Sequence, residues 1–138
     1  MKKRAVAYIS TLIVFVAIDF VWLSVMADVL YRPALGDMLA KDFRPVPAVL
    51  FYLIFAAGLT FFAVRPGLVT AKYGTSFLYG AFMGFVAYAT YDLTNQATLA
   101  SWSTTLTVAD LIWGSLLSAV SACAGHWITE KFGGRLAR

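Results

Sequence analysis

The sequence predicts an all-α membrane protein with four transmembrane helices, both termini cytoplasmic and a short interfacial helix in the first extracytoplasmic loop. Three observations carry that reading. Of the 138 residues, 61% are hydrophobic and only 13% charged; a soluble domain of this length would bury roughly two thirds of its unfolded-chain surface and would need a more charged exterior for the rest. The apolar residues come in four continuous blocks, each near the roughly 20 residues that a ~30 Å hydrocarbon core requires at ~1.5 Å per residue. Lys and Arg gather at the block ends that fall on one side. The blocks are rich in Leu, Ala and Phe and lack two-residue alternation, which excludes a β-barrel. Residues 1–138 read as one four-helix domain.

The first helix covers about Ala5–Ala27, after Lys2, Lys3 and Arg4. Val25-Met26-Ala27 resembles a cleavage site, but the apolar stretch is too long for a signal-peptide core and is interrupted by Asp19 and Trp22, so an uncleaved helix is expected. In the loop Asp28–Pro45, Leu35, Met38 and Leu39 recur at helical spacing with Asp37 and Lys41 opposite, which predicts the interfacial helix lying on the membrane as a lid. Pro45 and Pro47 bracket the start of the second helix, Pro47–Val64, where a missing N–H costs little. Arg65-Pro66-Gly67 is expected to end it.

The third helix, Gly74–Tyr91, carries Gly80-Ala81-Phe82-Met83-Gly84, and the fourth, Leu106–Ile128, carries Gly114, Ser118 and Ala122 at fourfold spacing. Small residues at these intervals let two helix backbones approach closely, so the two form the tightest pair. Between them Leu93–Thr105 has no charge and many hydroxyls. Such a segment is expected to fold back into the headgroup zone with its backbone satisfied by protein.

Orientation follows from the flanks. Lys2, Lys3, Arg4, Arg65, Lys72, Lys131, Arg135 and Arg138 fall on one side, whereas Arg32, Lys41 and Arg44 fall on the other beside Asp28, Asp37 and Asp42. Both termini are therefore assigned to the cytoplasm. The net charge of +4 reflects topology and contact with lipid headgroups. With no aromatic-studded basic stripe and no Gly-rich phosphate loop, no nucleic-acid or nucleotide partner is expected. A single His and a single Cys cannot assemble a haem, zinc or iron–sulfur centre within one chain, so no cofactor and no metal are expected. Cys123 reads as small packing, and His126, beside Trp127, as a headgroup-level anchor without a Ser, Cys or acid partner.

Three aspartates inside or at the edge of apolar blocks mark the candidate site. Asp19 lies about 21 Å along the first helix, Asp92 at the outer end of the third and Asp110 about one turn into the fourth, so all three converge on one depth. Trp22, Tyr88, Asn95 and Trp113 share their faces. The predicted ligand-binding set is Asp19, Trp22, Tyr88, Asp92, Asn95, Asp110 and Trp113, forming a pocket open to the outside. Closely spaced carboxylates share protons and aromatic faces attract cations, so a small cation, a proton or a polar lipid headgroup would suit it. Each acid also has a purely structural reading: a capping box with Thr107 for Asp110, a turn bonded near Thr94 for Asp92, and a hydrogen bond from a Tyr or Thr of a neighbouring helix for Asp19.

The run Tyr88-Ala-Thr-Tyr91-Asp92-Leu-Thr94-Asn95-Gln-Ala-Thr98-Leu, preceded by Asp19-x-x-Trp22, Tyr31-Arg32-Pro33 and Phe51-Tyr52-Leu-Ile-Phe-Ala-Ala-Gly58 and followed by Asp110-x-x-Trp113-Gly114, resembles a bacterial family of small predicted inner-membrane proteins of unknown function. The resemblance spans nearly the whole chain. It implies a multi-pass protein of the bacterial inner membrane and brings no activity, cofactor or site residue. A looser likeness, at the level of fold, is to small four-helix multidrug exporters with one carboxylate in the first helix, to which only Asp19 corresponds. The expectation is a homodimer or higher homo-oligomer, among membrane lipids, that binds or transports a small cation, proton or lipid headgroup. The alternatives are a lipid-modifying enzyme, or its accessory, using an aspartate as acid or base, and a structural subunit without a ligand; no catalytic residue is assigned.

Overall fold

The computed structural model describes residues 1–133, and among them helices are joined by short connections with no strand. The elements are α1 (Lys2–Met26), α2 (Arg32–Leu35), α3 (Pro45–Leu59), α4 (Arg65–Thr70), α5 (Tyr73–Thr98) and α6 (Thr104–Phe132). Three continuous helical stretches, Lys2–Met38, Pro45–Thr70 and Thr104–Phe132, are long and apolar enough to cross a membrane. Two residues of the flank argument, Arg135 and Arg138, lie outside the described residues.

Two π-helical turns keep the first two stretches continuous. Ala27–Tyr31 joins α1 to α2 and Thr60–Val64 joins α3 to α4. Each is followed by Arg and then Pro, at Arg32-Pro33 and Arg65-Pro66. A proline ring clashes with the carbonyl one turn back, and a wider turn before it relieves that clash without ending the helix. Arg65-Pro66-Gly67 therefore does not stop the second stretch, as the sequence suggests; Pro66 enters the first turn of α4, and the chain reverses at Ala71, whose φ is +52°. For the same reason the short helix in the first loop, Arg32–Leu35 with a 3₁₀ turn at Gly36–Met38, extends α1.

The small residues bring α5 and α6 together. A methyl group added at Gly80 would lie 2.7 Å from the Ser118 carbonyl oxygen and 2.9 Å from Ala122 Cβ, and one at Gly84 would meet Ser118 and the Gly114 carbonyl. Backbone contact of that kind is what the small-residue spacing predicts. Against this pair α1 packs through Thr11, which closes on Gly125, and against α3 through the wholly buried Phe15, which meets Phe55 at 4.9 Å.

The end of α5 and the start of α6 form a closed polar turn. α5 runs on to Thr98, Gln96 Nε2 donates to Thr104 Oγ1 at 2.9 Å, and Thr107 Oγ1 donates to Gln96 Oε1 at 2.9 Å while accepting from Trp102 Nε1 at 2.9 Å. The hydroxyl-rich segment thus spends its polar groups on itself. The cap of α6 is Ser103, whose side chain accepts from the Leu106 N–H at 3.3 Å.

Candidate functional site: a carboxylate and aromatic network

The polar network lies at the end of the bundle away from the N-terminus, where α1, α3, α5 and α6 meet. Asp19 is 5% exposed and both its oxygens are occupied: Tyr52 Oη donates to one at 2.7 Å and Trp113 Nε1 to the other at 3.1 Å. The plain sequence alternative for Asp19, a hydrogen bond from a tyrosine of a neighbouring helix, is what this geometry displays. Two donors on one buried carboxylate tie α1 to α3 and α6 at once.

A second tie runs through stacked indoles. Trp22 and Trp113 lie face to face with centroids 4.1 Å apart and planes 8° from parallel. Trp22 Nε1 donates to Tyr31 Oη at 2.9 Å, and Tyr31 in turn donates to Asp110 Oδ1 at 2.8 Å. In an unbroken α-helix residues nine apart point about 180° away from each other. The π-helical turn Ala27–Tyr31 slows that rotation and brings Tyr31 onto the face of Trp22, which is how a residue of the loop region reaches a buried acid.

Asp110 therefore does not serve the capping box expected from Thr107-x-x-Asp110. Ser103 caps the helix instead, Thr107 is engaged with Gln96 and Trp102, and Asp110 stands about two turns beyond the cap with Tyr31 as its donor. Asp92 is likewise no turn residue. It sits inside α5 with no exposed surface, while Thr94 turns its hydroxyl back to the Thr90 carbonyl. The Asp92 carboxylate lies within electrostatic reach of that of Asp110, and among the described residues no donor reaches either of its oxygens.

The three acids thus resolve into a pair, Asp92 and Asp110, and a separate Asp19 joined to it through Trp113, Trp22 and Tyr31. Tyr88, half-buried, lies within electrostatic reach of Asp19, Asp110, Tyr31 and Tyr52. Gly114 makes room for its ring, because a Cβ there would fall on the Tyr88 side chain. Asn95 is half-buried near Tyr91, and no hydrogen bond among the described residues joins it to the acids. The chamber is closed: Asp19, Asp92 and Asp110 are 5%, 0% and 5% exposed. Tyr31 donates to Asp110, Tyr88 lies within electrostatic reach of it, and the acids of the expected outward-open pocket are shielded from solvent. Beside it runs an apolar groove of about 590 Å³ on the outer face of α1, floored by Trp22 and Trp113.

The sequence reading missed Tyr31 and Tyr52. Their only signal was the placement of tyrosines beside Arg32-Pro33 and within an apolar helix, and neither reveals a partner. It also misplaced His126. Far from sitting among headgroups without partners, His126 is wholly buried, with Nδ1 2.8 Å from Ser76 Oγ, Nε2 3.3 Å from Glu130 and its ring 4.4 Å from that of Tyr73. Tyr73 Oη completes the cluster by donating to Glu130 at 2.5 Å. Among the described residues no group of three or more His, Cys, Asp or Glu is arranged to hold a metal ion.

Residues 4–127 match the family described as predicted membrane protein (DUF2177). The chain belongs to this family. DUF2177 proteins are a membrane family of unknown function, in agreement with the apolar helices and with the resemblance drawn from the Tyr-Asp-Leu-Thr-Asn run. No curated protein and no solved structure matches this DUF2177 chain.

Proposed function

We propose that this DUF2177 protein is a multi-pass protein of the bacterial inner membrane that binds a proton between Asp92 and Asp110 and passes it across the bilayer. Four crossings with both termini cytoplasmic fit the flanks, because Lys2, Lys3 and Arg4, then Arg65 and Lys72, then Lys131 all fall at the same ends of successive helices. α5 serves as the fourth span. Its 26 residues reach about 39 Å, and its polar Ser76 and Asp92 are turned inward.

The observation that carries the reading is the unpartnered Asp92 carboxylate facing Asp110 in a fully buried setting. Two ionised carboxylates offer only acceptors and repel each other; a single proton converts their contact into an O–H···O hydrogen bond. Tyr31 donates to Asp110 Oδ1 and so leaves its second oxygen for that proton. A proton suits the closed chamber better than a small cation or a lipid headgroup, the other ligands the residues suggest. Asp19, saturated by Tyr52 and Trp113, orients the site. A single bundle of this size hardly encloses a pathway, so a homodimer is expected, with a second copy helping to enclose the path.

Proteoliposomes carrying a trapped pH dye test this. Under an imposed potential the protein should acidify the interior faster than empty liposomes do, and Asp92→Asn, whose amide replaces the proton as donor to Asp110, should return the rate to that of empty liposomes while the helices stay folded. Equal rates for Asp92→Asn and the unaltered protein would overturn the assignment.

A further inference from the structure

At the opposite end of the bundle α1 and the stretch Pro45–Thr70 part company. They are joined near the middle by Phe15 on Phe55 and by Tyr8 Oη donating to the Leu53 carbonyl at 3.1 Å. Below that contact they enclose a groove of about 770 Å³, within the ~300–1,000 Å³ typical of ligand sites. Lys3, Arg4 and Arg65 stand in its lining, and Ala57, Phe61 and Leu68 give it an apolar floor.

The groove's neutral polar groups are already committed. Tyr8 is bonded to Leu53, and the Thr60 hydroxyl donates to the Ala56 carbonyl at 2.7 Å. Recognition is left to the cations. Arg65 is held over the Phe61 ring at 5.6 Å, and the salt bridges among the described residues lie elsewhere, at Asp28–Arg32 and His126–Glu130. Glu130 lies within electrostatic reach of Lys3, and no salt bridge among the described residues engages Lys3, Arg4 or Arg65. A mouth with surplus positive charge above an apolar slot between two helices matches a molecule with an anionic head and an apolar body.

We propose that this groove is a binding site for an anionic phospholipid, its phosphate held by Arg4, Arg65 and Lys3 and an acyl chain lying along Ala57, Phe61 and Leu68. The site is distinct from the carboxylate network and does not depend on proton transfer. A free phosphate would satisfy the cations but leave the apolar floor uncovered, and a zwitterionic lipid would cover the floor but answer the charge poorly.

Native mass spectrometry of the intact protein released from mild detergent, with phosphatidylglycerol and phosphatidylethanolamine at equal concentration, reads the site directly. The expected result is retention of phosphatidylglycerol, weakened about tenfold or more by the pair Arg4→Gln and Arg65→Gln and unchanged by Arg32→Gln, which removes an exposed arginine outside the groove. Ala57→Leu fills the floor without touching a charge, and it should weaken retention as well, with helical content checked by circular dichroism. Equal retention of both lipids, equal loss in Arg32→Gln, full retention in Ala57→Leu, or displacement of the lipid by inorganic phosphate at millimolar concentration would each overturn the proposal.

Discussion

Removing the Tyr52 hydroxyl isolates the hydrogen bond that anchors Asp19, because Tyr52→Phe keeps the ring that packs edge-on against Phe15 at 6.0 Å. The bond is 2.7 Å long, on a carboxylate only 5% exposed. Hydrogen bonds to charged groups contribute about 1.5–3 kcal/mol in soluble proteins, whereas those inside membrane bundles average about 0.6 and reach about 1.7 kcal/mol. Its length and burial place this one toward the upper end, so a coupling of about 1–2 kcal/mol is expected. The measurement is a double-mutant cycle of Tyr52→Phe with Asp19→Leu, read by reversible unfolding in mixed detergent micelles. Asp19→Asn is the wrong partner for such a cycle, since its amide oxygen still accepts. A coupling below about 0.3 kcal/mol, the scatter of independent sites, would show that Tyr52 does not hold Asp19.

Two further outcomes test the packing around the site. Gly80→Ala must part α5 from α6 by roughly 0.7 Å to bring a 2.7 Å approach to ordinary contact, an overpacking that costs about 1–3 kcal/mol; Gly74→Ala, with nothing within 4 Å, should leave stability unchanged or raise it by up to about 1 kcal/mol, and equal melting of the two variants would contradict the interface. The stacked Trp22 and Trp113 rings should give an exciton couplet in circular dichroism that Trp22→Phe abolishes without loss of helical signal, whereas a couplet surviving that change would place the pair elsewhere.

Those features differed in how openly the chain announced them. The small residues at Gly80, Gly84, Gly114, Ser118 and Ala122 were legible because fourfold spacing is a property of one helix and needs no knowledge of its neighbour. The convergence of Asp92 with Asp110 was legible for a similar reason, since counting residues along a helix fixes depth. What counting cannot supply is azimuth once the helix departs from 3.6 residues per turn. The π-helical turn at Ala27–Tyr31 carries Tyr31 to the face of Trp22, and its twin at Thr60–Val64 carries the second stretch past Pro66 to Thr70. A proline read as a stop was instead absorbed.

Partner choice was the second thing hidden. Thr107-x-x-Asp110 has capping-box spacing, yet Ser103 sits four residues earlier and takes the cap, which frees Asp110 for Tyr31. His126 looked solitary because its partners come from position 76, on a different helix, and from Glu130 one turn on, beyond the predicted end of the fourth helix. Asp19 was the acid most exposed to overinterpretation: residue counting places it level with the other two, but Tyr52 and Trp113 consume both of its oxygens, and the site's free valence lies with Asp92.

Infrared spectroscopy of the reconstituted protein reads that valence directly, because a protonated carboxylic acid has a carbonyl stretch well separated from that of a carboxylate. At neutral pH the unaltered protein should show an acid band from the Asp92–Asp110 pair that is lost in Asp92→Asn. No acid band in the unaltered protein, or an undiminished band in both Asp92→Asn and Asp110→Asn, would mean that the two carboxylates hold no proton between them.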